Sequence, residues 1–341
     1  MRRSLLLAIL AASSIATAAV AQERTLVLSA YGLGQDAFKK HLYDPFQAAC
    51  GCKLVVEVGN NAERIAKLEA RKDNPEVDIA VLADFGALEA AEKGLLQPID
   101  TGKLANYAKL HDFAKDPLGN KLAVGYTFYS TSIVYRSDKL PKISSWKDLY
   151  APELQGKLAL PNITTTQGPL VLFMTDQALG GKGGDLTKAL DTLAAHKKGV
   201  VTFYERSSQV IQLLQQEEVL AAPVGRFAWA GLLKLKLPLA WAEPAEGQGG
   251  GMNVMTLVKG SKNTDLALKL MDMWLSEPVQ KALAMDLVDS PANKEVVLPD
   301  DKAELLTYGK EQVASLRFLP PQTLLANRES WLTRWNADIA R

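Results

Sequence analysis

The first hundred residues alternate short apolar runs with amphipathic ones. Arg24 to Ser29 predicts a strand, which leads through Ala30-Tyr31-Gly32-Leu33-Gly34 into a helix from about Gln35 to Ala49. Phe38, Leu42 and Phe46 recur there at helical spacing. Leu54 to Val58 predicts a second strand, and Gly59-Asn60-Asn61 starts a helix running to Arg71. Val77 to Leu82 predicts a third, followed by Ala83-Asp84-Phe85 and a helix to Lys93. This alternation argues for an α/β fold of parallel βαβ units, in which ligands gather beyond the carboxyl ends of the strands.

A second alternating unit follows. Val124 to Arg136 is long, aromatic and β-branched, so it predicts a strand that crosses between lobes. Tyr126, Phe128 and Tyr129 lie on it, and alternation should let only some of them reach a cleft. Leu158 to Leu160 leads through Pro161-Asn162-Ile163-Thr164-Thr165-Thr166 into a helix ending near Ala178. Val200 to Phe203 is followed by a helix from Ser207 to Glu217, and Leu220 to Val224 precedes Gly225-Arg226 and a helix near Phe227 to Lys234. Gly247 to Gly251 is expected to be a flexible connection into Met252 to Val258, the return crossover. Helices near Thr264 to Leu275 and Pro278 to Met285 precede a helical C-terminus. Trp146, Trp274, Trp331 and Trp335 occupy helical positions suited to packing.

At 341 residues the chain has room for about two domains. Lys plus Arg number 39 against 38 Asp plus Glu, so no general charge draws it to nucleic acid. Arg2 and Arg3, the apolar run from Leu5 and the small-residue site Ala19-Val20-Ala21 predict a secretory signal peptide over residues 1–21. That run is shorter than the roughly 20 residues a membrane span needs. Cys50 and Cys52 are the only cysteines; free thiols in a turn, a disulfide across one residue, and metal or redox use all remain open. His41, His111 and His196 have no partner at metal-ligand spacing. No P-loop or nucleophile elbow is present, and Ser144-Ser145-Trp146-Lys147 suits helix capping better than nucleophilic catalysis.

Several segments in order resemble the type II periplasmic solute-binding proteins of ABC importers, and more narrowly their spermidine/putrescine-binding branch. They are Asn60 to Leu68 (Asn-Asn-Ala-Glu-Arg-Ile-Ala-Lys-Leu), Glu92 to Asp100 (Glu-Lys-Gly-Leu-Leu-Gln-Pro-Ile-Asp), Ser145 to Lys157 and Val258 to Asn263. The resemblance spans essentially the whole exported chain. It implies two α/β lobes, residues 22–122 with 252–341 and residues 123–251, joined by two crossover strands and closing over one small polar solute. It further implies a monomer in the periplasm, delivery to an inner-membrane ABC permease, no catalysis and no cofactor.

The resemblance also shows departures. Polyamine-binding relatives hold ammonium groups with carboxylates and flank the methylenes with rings, and Tyr31 and Phe85 stand where such rings are placed. Where relatives carry acids after the first strand of the second lobe, this chain has Asn162-Ile163-Thr164-Thr165-Thr166. Their Trp-x-Asp at the return crossover is here Gly251-Met252-Asn253; the adjacent tyrosines that ferric-binding relatives place between an Arg and a Trp are absent from the matching stretch, Arg226-Phe227-Ala228-Trp229. Asp84, Glu205, Glu243 or Glu246 could hold an amine in place of the lost acids. Thr164 to Thr166, Ser207-Ser208 and Arg226 precede helices, a setting that also suits a phosphonate, phosphate ester or carboxylate. The expected ligand set is Tyr31, Asn60, Asp84, Phe85, Tyr126, Thr164, Thr165, Thr166, Tyr204, Ser207, Arg226 and Asn253. Capping or packing is the competing role for most of them. The expected solute is polyamine-type or amine-bearing, with an anion or a zwitterion such as an aminoalkylphosphonate as the rival.

Overall fold

The computed structural model describes residues 24–340, so the expected signal peptide lies outside the described residues. Within them, twelve strands form one continuous sheet. They are β1 (Thr25–Ala30), β2 (Lys53–Val58), β3 (Ile79–Ala83), β4 (Leu96–Gln97), β5 (Ala123–Arg136), β6 (Leu158–Pro161), β7 (Val200–Tyr204), β8 (Ala221–Gly225), β9 (Leu239–Trp241), β10 (Gln248–Val258), β11 (Ser290–Pro291) and β12 (Leu316–Phe318). The order along the main path is β2-β1-β3-β10-β5-β8-β6-β7. The strands β2, β1 and β3 are mutually parallel, as are β7, β6 and β8. Between these blocks run β10 and β5, antiparallel to each other and to the blocks they border. Strand β5 pairs with β10 over its first half and with β8 and β9 over its second, so it passes from one lobe to the other.

Burial follows that division. One apolar cluster surrounds β1, β3 and the first part of β5, while two others surround β6, β7 and β8. All five residues of β3 and all five of β8 are buried, as expected of central strands covered on both faces. Trp146, Trp274, Trp331 and Trp335 are buried in these clusters.

Three features depart from the sequence pattern, and the cysteine pair takes one of the states left open for it. The first helix is interrupted by a wide turn at Lys39–Tyr43 before resuming as Asp44–Cys50. Pro45 has no N–H to give the carbonyl four residues back and its ring crowds that position, which the wider turn relieves. Cys50 and Cys52 form a disulfide, with Gly51 between them as a left-handed helix cap. Gly249 to Gly251 are buried strand residues rather than a flexible connection. A β-carbon at Gly249, Gly250 or Gly251 would overlap the side chain of Leu170, Phe318 or Tyr129 respectively, so the glycines permit close approach. Finally, the helix Pro321–Asp338, assigned by the sequence to the first lobe, touches both: Leu324, Trp331 and Trp335 join the second lobe's cluster, and Leu325 packs against the first lobe's as well. Its Arg328 also lies 3.6 Å from Glu89 on the helix Asp84–Glu92 of the first lobe.

Candidate ligand-binding site

A cavity of about 370 Å³ opens where the crossover strands meet both lobes. The first lobe supplies Tyr31, Asn60, Asn61 and Ala83, and the second supplies Thr166, Gln167, Arg226 and Phe227. The crossovers contribute Tyr126, Thr127, Phe128, Tyr129 and Asn253, while the later chain adds Val288, Asp289, Ser290, Leu306 and Thr307. Most of its exposed wall is apolar, as in many small-molecule sites, although half of the lining residues carry polar side chains.

Local structure explains how these side chains are held. Asn60 caps the helix Asn61–Ala70 reciprocally with Glu63. Asn61 turns the other way, and its Oδ1 accepts from the Ala83 N–H at 3.0 Å and the Tyr31 hydroxyl at 3.5 Å. The Tyr31 ring lies against the buried Arg64 guanidinium, 3.7 Å from ring centroid to Cζ. Tyr126 packs on Trp274 with centroids 4.6 Å apart. Burial raises the pKa of the Tyr31 and Tyr126 phenols, so both stay protonated.

Two charged groups face this cavity. Asp289 stands beside the short strand β11, which pairs with β5 through Ser290 opposite Phe128 and Pro291 opposite Thr127. The Thr127 hydroxyl donates to the Ser290 carbonyl at 2.9 Å, fixing the segment. Asp289 Oδ2 is buried without a hydrogen-bond partner. Burial pushes its carboxyl up to about 7, opposed by Thr127. Arg226 is 7% exposed, with its Cζ 4.6 Å from the Trp241 ring centroid and 5.4 Å from that of Trp229. Its Nη2 donates to the Glu304 carbonyl, and its Nε is buried without a partner. Burial lowers its pKa to about 10, partly offset by Glu243 and Glu304, so it remains charged at neutral pH.

A profile described as "Bacterial extracellular solute-binding protein" matches residues 41–307. The chain belongs to that family. It is 26% identical over 254 residues to a spermidine/putrescine-binding periplasmic protein of Escherichia coli, covering 71% of each chain. A putrescine-binding periplasmic protein of Pseudomonas aeruginosa is 24% identical over 96% of each. Among solved structures, an ABC transporter protein of Clostridium perfringens superposes with a TM-score of 0.85 at 32% identity, covering 92% of this chain and 99% of that one. This solute-binding protein is therefore a substrate-binding component of an ABC transporter with a two-lobed periplasmic binding protein fold.

Of the expected ligand set in this solute-binding protein, Tyr31, Asn60, Tyr126, Thr166, Arg226 and Asn253 line the cavity. Phe85, Thr164 and Thr165 line a separate space of about 60 Å³ under the C-terminal helix, which Thr166 also borders. Asp84 is outside both linings; its Oδ1 accepts from the Phe85 N–H at 2.7 Å, and burial pushes its carboxyl up to about 7. Tyr204 is buried, with its hydroxyl donating to the Pro223 carbonyl inside the second lobe. Ser207 starts the helix Ser207–Gln215 outside both spaces; the cap there uses Arg206 and Gln209 instead.

Four consecutive crossover residues, Tyr126 to Tyr129, reach the cavity, where simple alternation predicted only some. The register between β10 and β5 shifts at Asn253/Val254, beside these residues, which breaks the alternation. Asp289 escaped notice because it lies in a short connection after the helix Glu277–Met285, and only pairing with β5 brings it to the cavity.

Proposed function

We propose that this protein is the periplasmic receptor of an ABC importer for a small amine-bearing solute. The solute is captured between the lobes and passed to an inner-membrane permease by a non-catalytic monomer. The observation behind the amine is Asp289, a carboxylate with an unpartnered oxygen in a cavity bounded by Tyr31, Tyr126, Phe128, Tyr129 and Phe227. A carboxylate among ring faces suits an ammonium on an apolar stem. Relatives named for spermidine and putrescine support the same chemistry. A wholly anionic solute is disfavoured, since it would leave Asp289 Oδ2 without a partner and set a second negative charge beside it.

The test is thermal unfolding of refolded, ligand-stripped protein with short alkyl amines, diamines, amino acids and amine-free acids. Ligand at about 100 times its dissociation constant adds roughly 2.7 kcal/mol. For a chain of this length that raises Tm by about 5 °C. Amine-bearing compounds should give that shift and amine-free acids should not. A shift with acids lacking any amine would sink the proposal.

A further inference from the structure

We propose that the solute is a small zwitterion, bound with its ammonium on Asp289 and its acid group on Arg226. This rests on the cavity being the solute site and adds the chemistry of the ligand's second end. Two independent orphaned atoms point to it: Asp289 Oδ2 and Arg226 Nε, each buried, each unpartnered, each on a side chain lining one cavity. Stacking on Trp241 and a bond to the Glu304 carbonyl hold the Arg226 guanidinium in place, and Glu243 and Glu304 act on it only through their charge, without a hydrogen bond to its Nε. A buried cation left without an anion is costly, and a ligand acid group would remove that cost.

The surrounding charge also disfavours a diamine. Behind the Tyr31 ring sits Arg64, 1% exposed, with Nη1 and Nη2 unpartnered. A cation stacked on Tyr31 would share that ring with a positive charge already on it. Thr166 and Asn253, both neutral, line the cavity as well. The cavity lining therefore presents one cation, Arg226, and one carboxylate, Asp289. A ligand with no net charge balances this arrangement better than a dication, whose second ammonium would meet Arg226.

Calorimetry on the ligand-stripped protein can compare matched series of increasing chain length: ω-amino acids, ω-aminoalkylphosphonates, α,ω-diamines and alkyl monoamines. At the best length, an acid-bearing amine should bind at least roughly tenfold tighter than the diamine and the monoamine. The carboxylate and phosphonate arms distinguish the two acids. A diamine that equals or exceeds every acid-bearing amine overturns the zwitterion and leaves the amine site standing. Absence of binding by every amine overturns both. In Arg226→Gln the preference for acid-bearing over acid-free amines should fall roughly tenfold, to near parity. Arg226→Lys should keep part of it, and it provides the test if the glutamine variant does not fold. Full preference retained in either folded variant overturns the assignment of Arg226.

Discussion

The larger cavity and the small space under the C-terminal helix differ in what their polar groups are doing. In the small space the Thr164 and Thr165 hydroxyls are already bonded. Thr164 Oγ1 donates to Asn162 Oδ1 at 2.9 Å, and Thr165 Oγ1 donates to the Asn162 carbonyl at 2.7 Å while accepting from the Gly168 N–H at 3.0 Å. In the larger cavity, Asp289 and Arg226 each keep a buried atom with no partner. Satisfied hydroxyls at a helix start serve the fold, whereas unsatisfied buried charge persists only where something else compensates it. The comparison separates residues that build the lobes from residues available to a solute.

Asp289→Asn should break the comparison most strongly. Removing one partner of a buried charged contact commonly costs 2–5 kcal/mol, so affinity for an amine ligand should fall roughly 100-fold, measured by calorimetry. The ligand-free protein should respond in the opposite sense. Burial raises the Asp289 carboxyl from 3.8 to about 7, partly opposed by Thr127, and Tyr43 and Tyr126 are the titratable groups that feel its charge. Above about pH 7 the folded protein holds a buried anion that the unfolded chain solvates freely. As pH falls through 7 a proton relieves that cost, and below the unfolded value of 3.8 no difference remains. Asp289→Asn should therefore stabilise the ligand-free protein by about 1–3 kcal/mol at pH 8 and have little effect near pH 4. Wild-type affinity for an amine should weaken below about pH 7 as the carboxylate takes up its proton.

The same contrast explains what could be read from the chain. The strands β1 to β3, the crossovers and the tryptophan packing were legible because periodicity and burial are local patterns. Thr164 and Thr165 looked like ligand residues for the reason that makes them good at holding a helix start: short hydroxyls before a run of free N–H groups. Tyr204 sits at the end of a strand, where ligands gather, yet its hydroxyl bonds inside the second lobe to the Pro223 carbonyl. Asp289 carries no motif, and its position depends on β11 finding β5 across more than 160 residues, as the Thr127–Ser290 bond records. Contacts of that range are set by tertiary packing and leave no local trace.

Gly251→Val offers a middle-sized test within the larger cavity. Its β-carbon would overlap the Tyr129 ring, which is paired edge-on with Phe227 at 5.4 Å. The ring must move or the strand must shift. Overpacking of this kind costs about 1–3 kcal/mol in thermal unfolding. Displacing one wall of the site should also weaken ligand binding, roughly tenfold. Unchanged affinity would mean that the Tyr129 ring is part of the scaffold and lies outside the solute's reach.

The smallest effect should come from Thr165→Ala, on the satisfied side of the comparison. The substitution removes an acceptor from the Gly168 N–H at the first turn of the helix Gln167–Ala178 and a donor to the Asn162 carbonyl. Loss of such a cap costs about 1 kcal/mol of stability. Thr165 lines the small space and not the larger cavity, so ligand affinity should change by less than about twofold. A stability loss with unchanged affinity would assign the threonine run to the fold. Lost affinity with unchanged stability would instead extend the ligand site from the larger cavity through Thr166 into the space under the C-terminal helix, because Thr166 is the residue that borders both.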